Sequence, residues 1–166
     1  MLRRATLALP IAALLVAAAC APKPADSAAM ATVDTAAVNT ELATLRSRYI
    51  AARTANDAAA LAALYTEDAG IDLYGLPRLR GHASIEAAFR MDSVRKWTLL
   101  EINPIGMEAR TNTDASELGT YHEMTDSLGT KGHAWGRYLV AFQKDTTGQW
   151  KIVYLIGFPD STKVDK

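Results

Sequence analysis

Apolar positions recur with helical spacing over the first part of the chain and alternate over the last part. Val38, Leu42, Leu45, Tyr49 and Ala52 fall at steps of four, three, four and three, with Arg46, Arg48 and Arg53 between them. That pattern predicts one long amphipathic helix with Leu45 and Tyr49 on its buried stripe. Asn56 or Asp57 supplies an N-cap for a second, shorter helix, because a side-chain oxygen there accepts from free amides of the Ala58-Ala59-Ala60 turn. Leu61, Leu64 and Tyr65 give that helix its stripe, and it is expected to end near Glu67 and Asp68. A brief strand at 71–74 meets the Gly75-Leu76-Pro77 turn, and after Gly81 a third helix carries Ile85, Ala88 and Phe89 on one side.

From Trp97 the period changes to two, predicting four strands near 97–109, 115–125, 132–144 and 149–158. Asp126-Ser127-Leu128-Gly129 and Asp145-Thr146-Thr147-Gly148 are turn sequences whose glycines permit positive φ, so the last three strands form an antiparallel meander. Helices followed by strands define an α+β fold. The expected shape is a cone, a roll of about three N-terminal helices packed on a strongly curved, mainly antiparallel sheet, with a pocket in its open mouth.

The first residues follow a different rule. Met1-Leu2-Arg3-Arg4 is a positive start, residues 7–19 are an almost unbroken apolar run interrupted by Pro10, and Ala17-Ala18-Ala19 leads into Cys20. The run is shorter than the roughly 20 residues that cross a bilayer and has the layout of an export signal. It resembles the lipobox signals of bacterial lipoproteins, with Ala17 where Leu is usual. The resemblance implies cleavage after residue 19, a diacylglycerol group on Cys20, and a mature protein exported and lipid-anchored to the cell envelope, on the periplasmic face of the outer membrane if the cell is Gram-negative. An ordinary cleaved signal with a chance cysteine is the alternative. Cys20 is the sole cysteine of the 166 residues, which favours the lipid role and excludes an intrachain disulfide.

Composition places one ordinary domain behind that signal. The 49% of hydrophobic residues is inflated by the signal, and the mature part has globular composition. Lys and Arg balance Asp and Glu at 18 each, and removing Arg3 and Arg4 leaves 16 against 18, a balance that argues against a nucleic-acid partner. The segment from Ala21 to Ser27 is rich in Pro and Ala and reads as a solvated tether. The expected organisation is a signal at 1–19, Cys20 and tether at 20–33, one domain at 34–160, and a tail at 161–166.

Strand parity sorts the candidate chemistry. His133, Trp135, Arg137 and Leu139 share one face of their strand, and Ala134, Gly136, Tyr138 and Val140 the other. If Arg137 looks inward, so does Trp135. An even hairpin loop around Leu128-Gly129 then puts Thr120 and His122 on that same face, whereas an odd loop puts Gly119 and Tyr121 there.

A series of weak motifs points to a family: Arg48-Tyr49-Ile50, Asn56-Asp57, Leu64-Tyr65, Glu67-Asp68-Ala69, the Gly75-Leu76-Pro77 turn, Gly81, Ile85, Phe89, Gly136-Arg137-Tyr138-Leu139 and Gly148-Gln149-Trp150-Lys151-Ile152. In order and spacing this resembles the nuclear transport factor 2-like superfamily, in its SnoaL-like and ketosteroid-isomerase-like branch, over about 38–158. The resemblance implies a cystatin-like cone, a homodimer, and an apolar cavity used by isomerases, cyclases, dehydratases and binding proteins. Ketosteroid isomerases use a Tyr on the first helix, a first-strand Asp as base, and a protonated acid on a late strand. Tyr49 matches the Tyr. Asp72 lies within one position of the base. The place of the late acid falls at Arg137, a cation, which argues against steroid-type isomerisation.

The candidate catalytic set is therefore Tyr49, Asp72, His122 and Arg137, and the candidate pocket set Leu45, Tyr49, Trp135 and Arg137. Each also has a plain structural reading: Tyr49 as core, Asp72 as turn former, His122 as a surface or satisfied core histidine, Arg137 as an ion-pair partner. No H-E-x-x-H, phosphate loop or nucleophile elbow is present in the sequence, so neither metal nor cofactor is expected. The favoured function is a membrane-anchored domain that binds a small amphipathic molecule, or a partner protein, through a cone-shaped pocket. The alternative is an acid-base enzyme acting on a small carbonyl or polyketide-like compound, with Asp72 as base.

Overall fold

The computed structural model describes residues 32–92 and 95–165; the signal, Cys20 and most of the tether lie outside them. Helix α1 (Thr35–Thr54) buries Val38, Leu42, Leu45 and Ala52, the stripe that the spacing predicts, with Tyr49 packed half-buried beside it. Asp34 caps its start by accepting from the amide of Ala37, and its own amide donates to Oδ1 of Asn112 at 2.9 Å. Asn56 takes a positive φ of 53° and breaks the helix, and Asp57 caps α2 (Ala58–Ala62) through the amide of Ala60.

The second helix is shorter than expected. Strand β1 (Tyr65–Leu73) begins where helix was predicted, because Tyr65 pairs in parallel with Ile152 of β6 (Trp150–Val164) and the amide of Ile152 donates to the carbonyl of Leu64. A short apolar run does not by itself distinguish helix from strand, and here tertiary pairing decides. Gly70 admits that pairing: a Cβ there would sit 2.3 Å from the Tyr154 ring. β2 (Leu79–Arg80) adds antiparallel to β1, and α3 (His82–Met91) follows Gly81 with Ile85 fully buried.

β3 (Arg95–Thr111), β4 (Asp114–Ser127) and β5 (Thr130–Lys144) complete six strands in the order β2-β1-β6-β5-β4-β3, antiparallel except at the β1–β6 contact. Helices on this curved sheet give the expected α+β cone. The β4–β5 loop is Leu128-Gly129, with φ of 53° and 87°, so it is even and sets Thr120 opposite Arg137 and His122 opposite Trp135. β6 runs on to Val164, where a tail was expected from 161; Ser161, Thr162, Lys163 and Val164 pair with Trp135, Ala134, His133 and Gly132. Polar residues after Pro159 hid this extension, and a register shift beside Gly136 accommodates the proline.

Topology puts the cone's mouth at one sheet end. The β1–β2 turn, the end of α3, the starts of β3 and β5 and the ends of β4 and β6 all meet there. The opposite end is closed by the Asp34–Asn112 contact and by Glu41 of α1, which pairs with Lys144 at 2.6 Å. No helix among the described residues is long and apolar enough to cross a membrane.

Candidate functional site

Between helices and sheet lies a cavity of about 1000 Å³ open at that mouth. Its apolar wall includes Leu45, Ile71, Leu73, Phe89, Leu155 and Val140. This volume is at the upper end of small-molecule pockets. The rim exposes Tyr74, Leu76, Met91 and Val164.

The inner face of β4 and β5 is the one carrying Glu117, Tyr121, Tyr138 and Val140. Glu117 is 1% exposed, the one buried charged residue among the described residues. Arg46 of α1 donates to its Oε2, and the Tyr138 hydroxyl donates to its Oε1 at 2.8 Å. A carboxylate taken out of water requires such partners. Burial, helped by the hydrogen bond to Glu117, holds the Tyr138 phenol well above its usual pKa. Burial and the Glu123 charge push Tyr121 up to about 12.

Tyr65 differs from these. Its hydroxyl is buried and has no hydrogen-bond partner. Burial first, then the adjacent Tyr49 hydroxyl, raises its pKa well above the ordinary phenol value, so it stays a neutral donor on a residue that lines the cavity. Nearer the mouth, Arg53 lies over Trp97 with its guanidinium carbon 3.5 Å from the ring centroid and over Phe89 at 5.1 Å. Trp97 Nε1 donates to Glu123 at 3.0 Å.

The predicted residues divide. Leu45 and Tyr49 line the cavity. Trp135, Arg137 and His122 do not: they stand on the outer sheet face, and the inward placement expected for Trp135 and Arg137 is corrected. The reason is that Tyr138, Val140 and Phe142 are the more apolar set of β5 and take the core. Arg137 is instead bound by Asp160, with contacts of 2.7–3.1 Å. Asp72 also faces away from the cavity, since Ile71 and Leu73 on either side line it, and Arg78 binds its Oδ2 at 2.6 Å. Sequence reasoning missed Glu117, Tyr138, Tyr65 and Trp97. The signal for Tyr138 was present in that same apolar parity of β5. No group of three or more His, Cys, Asp or Glu suited to a metal occurs among the described residues.

A family model for the SnoaL-like domain matches residues 34–156. The chain belongs to this SnoaL-like family. No curated protein matches the chain in sequence. Among solved structures, it is similar to a ketosteroid isomerase-like protein from Erwinia carotovora atroseptica SCRI1043, at 16% identity and TM-score 0.66 over 74% of this chain and 95% of that one. A candidate scytalone dehydratase from Novosphingobium aromaticivorans DSM 12444 aligns at 16% identity and TM-score 0.68, covering 77% and 90%. An NTF2-like protein with a cystatin-like fold, from a Novosphingobium aromaticivorans strain, aligns at 20% identity and TM-score 0.60, covering 74% and 81%. At such identities the likeness shows the cystatin-like fold, and the SnoaL-like cavity must be read from its own residues.

Proposed function

We propose that this SnoaL-like domain is a lipid-anchored, extracytoplasmic binding module for a small, uncharged amphipathic molecule. The observation that carries the reading is the polar inventory of the cavity. Glu117 and Arg46 satisfy each other, Glu123 is held by Trp97, and the buried Tyr65 hydroxyl is left as an unused donor. A ligand with several rings or a chain, and one carbonyl, ether or hydroxyl oxygen to accept from Tyr65, suits that arrangement. Asp72, the base expected for an acid-base enzyme, is paired with Arg78 outside the cavity, which weighs against the enzyme alternative.

The anchor rests on the sequence alone: an export signal closing on Cys20, followed by a tether that ends where Asp34 caps α1. The homodimer implied by the family would form on the outer sheet face, where Leu118, Leu139 and Phe158 stand exposed. The test is native mass spectrometry of the protein purified from envelope membranes, with the co-purifying compound extracted and returned to stripped protein. A neutral amphiphile that rebinds without being converted supports the reading. Turnover of that compound would replace it with acid-base chemistry, drawing on Glu117 or Glu123, the carboxylates of the wall.

A further inference from the structure

At the mouth end of the outer sheet face, four side chains form a continuous polar line. Oε2 of Glu101 is 3.3 Å from Nδ1 of His122, Nε2 of His122 is 3.1 Å from Nδ1 of His133, and Nε2 of His133 is 3.4 Å from Oδ2 of Asp165. Trp135 stacks on both imidazoles, with centroids 4.7 and 5.4 Å away and planes within 2° and 9°. Both histidines are mostly sheltered, at 20% and 17% side-chain exposure. The other charged groups on this face are Lys163, 3.4 Å from Oδ1 of Asp165, Asp126 and Lys131, which face each other across β4 and β5, and Arg137, which Asp160 occupies.

The line has three contacts and four ring nitrogens. With one proton on each ring, Nδ1 of His122 can serve Glu101 and Nδ1 of His133 can serve His122, but Nε2 of His133 then turns a lone pair toward the Asp165 carboxylate. One further proton serves all three contacts and sets a single positive charge between two carboxylates and against the Trp135 ring. A fourth proton drives two N–H groups against each other across the short His122–His133 gap, and neither carboxylate relieves that.

The segment this line holds is otherwise secured from one side only, by its ladder with β5, the Arg137–Asp160 pair and the bond from the Asp165 amide to the Lys131 carbonyl. β1 pairing with β6 stops at Gly157, so from Phe158 onward β6 is joined to β5 alone. Thr162, Lys163 and Val164 of that segment line the cavity mouth, as does His133 itself. We infer that the His122–His133 pair is a proton-operated latch: carrying one positive charge it ties the end of β6 through Asp165, and a second charge releases it and opens the mouth. The effect on ligand exchange rests on the cavity being a binding site, whereas the latch does not.

The test uses the full chain in detergent at a series of pH values from about 8 to about 5, across the usual histidine range, so that the neutral, singly charged and doubly charged pair are each sampled. Hydrogen exchange at 158–164, corrected for the intrinsic rate, reads the latch. The affinity of N-phenyl-1-naphthylamine, an uncharged apolar probe, reads the mouth. Exchange in that segment should slow as the first charge ties Asp165, and below that pH further acidification should speed it, and weaken probe binding, about fivefold or more. In His122→Gln and His133→Gln, which keep hydrogen-bonding capacity without the charge, both changes should vanish while circular dichroism stays native. Exchange that ignores pH in the wild type, or responds equally in both variants, overturns the latch. If the probe binds at neither pH, the cavity reading fails, and exchange still decides the latch.

Discussion

The hydroxyl of Tyr138 donates 2.8 Å to Glu117 on the neighbouring strand, while Arg46 reaches the other carboxylate oxygen from α1. The contact ties helix to sheet across the cavity floor. Glu117→Gln keeps an acceptor for Tyr138 but leaves the Arg46 charge without its partner. Breaking such a pair costs about 3–5 kcal/mol when both members are buried, and Arg46, partly exposed to the cavity, places the loss at or below the lower end. Tyr138→Phe should cost about 1 kcal/mol, one hydrogen bond to a charged acceptor partly offset by apolar fit. Urea unfolding measures both; equal losses would mean that Arg46 does not depend on Glu117.

The placement of side chains on the two sheet faces gives a second contrast. Leu155 lines the cavity, so Leu155→Ala should weaken ligand or apolar-probe binding by about 1–2 kcal/mol through lost contact area. Arg137→Ala, on the outer face in an exposed pair with Asp160, should leave binding unchanged. Calorimetric titration distinguishes them, and a larger effect at Arg137 would reverse the assignment of faces.

That assignment marks where the sequence was legible. The stripe on α1 was readable because 3.6-residue spacing is strict over five positions, whereas the parity of the Leu128-Gly129 loop was open in the sequence and the register decides it, setting His122 opposite Trp135. Parity says which residues share a face without saying which face is inside. A functional argument about Arg137 chose the wrong one, although Tyr138, Val140 and Phe142 are the better core set. Glu117 was invisible for a different reason: its partners come from 71 residues upstream and from another strand, and no local pattern announces a buried acid. The late part of β6 is polar on both sides because it projects beyond β1, so alternation is missing there.

Three buried or half-buried phenols predict alkaline behaviour. Tyr65, Tyr121 and Tyr138 all have raised pKa values, with burial the largest cause, and Tyr121 reaches about 12. In the unfolded chain they ionise near the usual value of about 10. The folded state then holds more protons than the unfolded state, so stability is intact below about pH 10 and falls as pH rises toward 12. Absorbance near the phenolate band should show these three ionising late, together with unfolding. Tyr121→Phe should soften the fall. Six phenols titrating freely near 10 would contradict this burial.

Cys20→Ser should abolish incorporation of a fatty-acid label while leaving the domain folded, because the core of the described residues is built from positions between Val38 and Ile152. Label retained on the variant would remove the lipoprotein reading without touching the cavity.

Tyr65 gives the sharpest test of that cavity, because its hydroxyl is buried without a partner. A group of this kind is a cost to the empty protein, on the order of 1–3 kcal/mol for an unsatisfied buried polar atom. Removing it in Tyr65→Phe should therefore leave the thermal stability of stripped protein unchanged or raised, the opposite of the usual result for a core substitution. With ligand bound, the same hydroxyl donates to the ligand's oxygen, and its loss should weaken binding by about 1 kcal/mol. The expected signature is a variant that is at least as stable when empty and gains less on adding the co-purifying compound. Thermal shift with and without that compound, on wild type and Tyr65→Phe, reads both changes at once. A variant less stable when empty but equally responsive to ligand would mean that the hydroxyl serves the fold, and that the ligand's oxygen is recognised elsewhere.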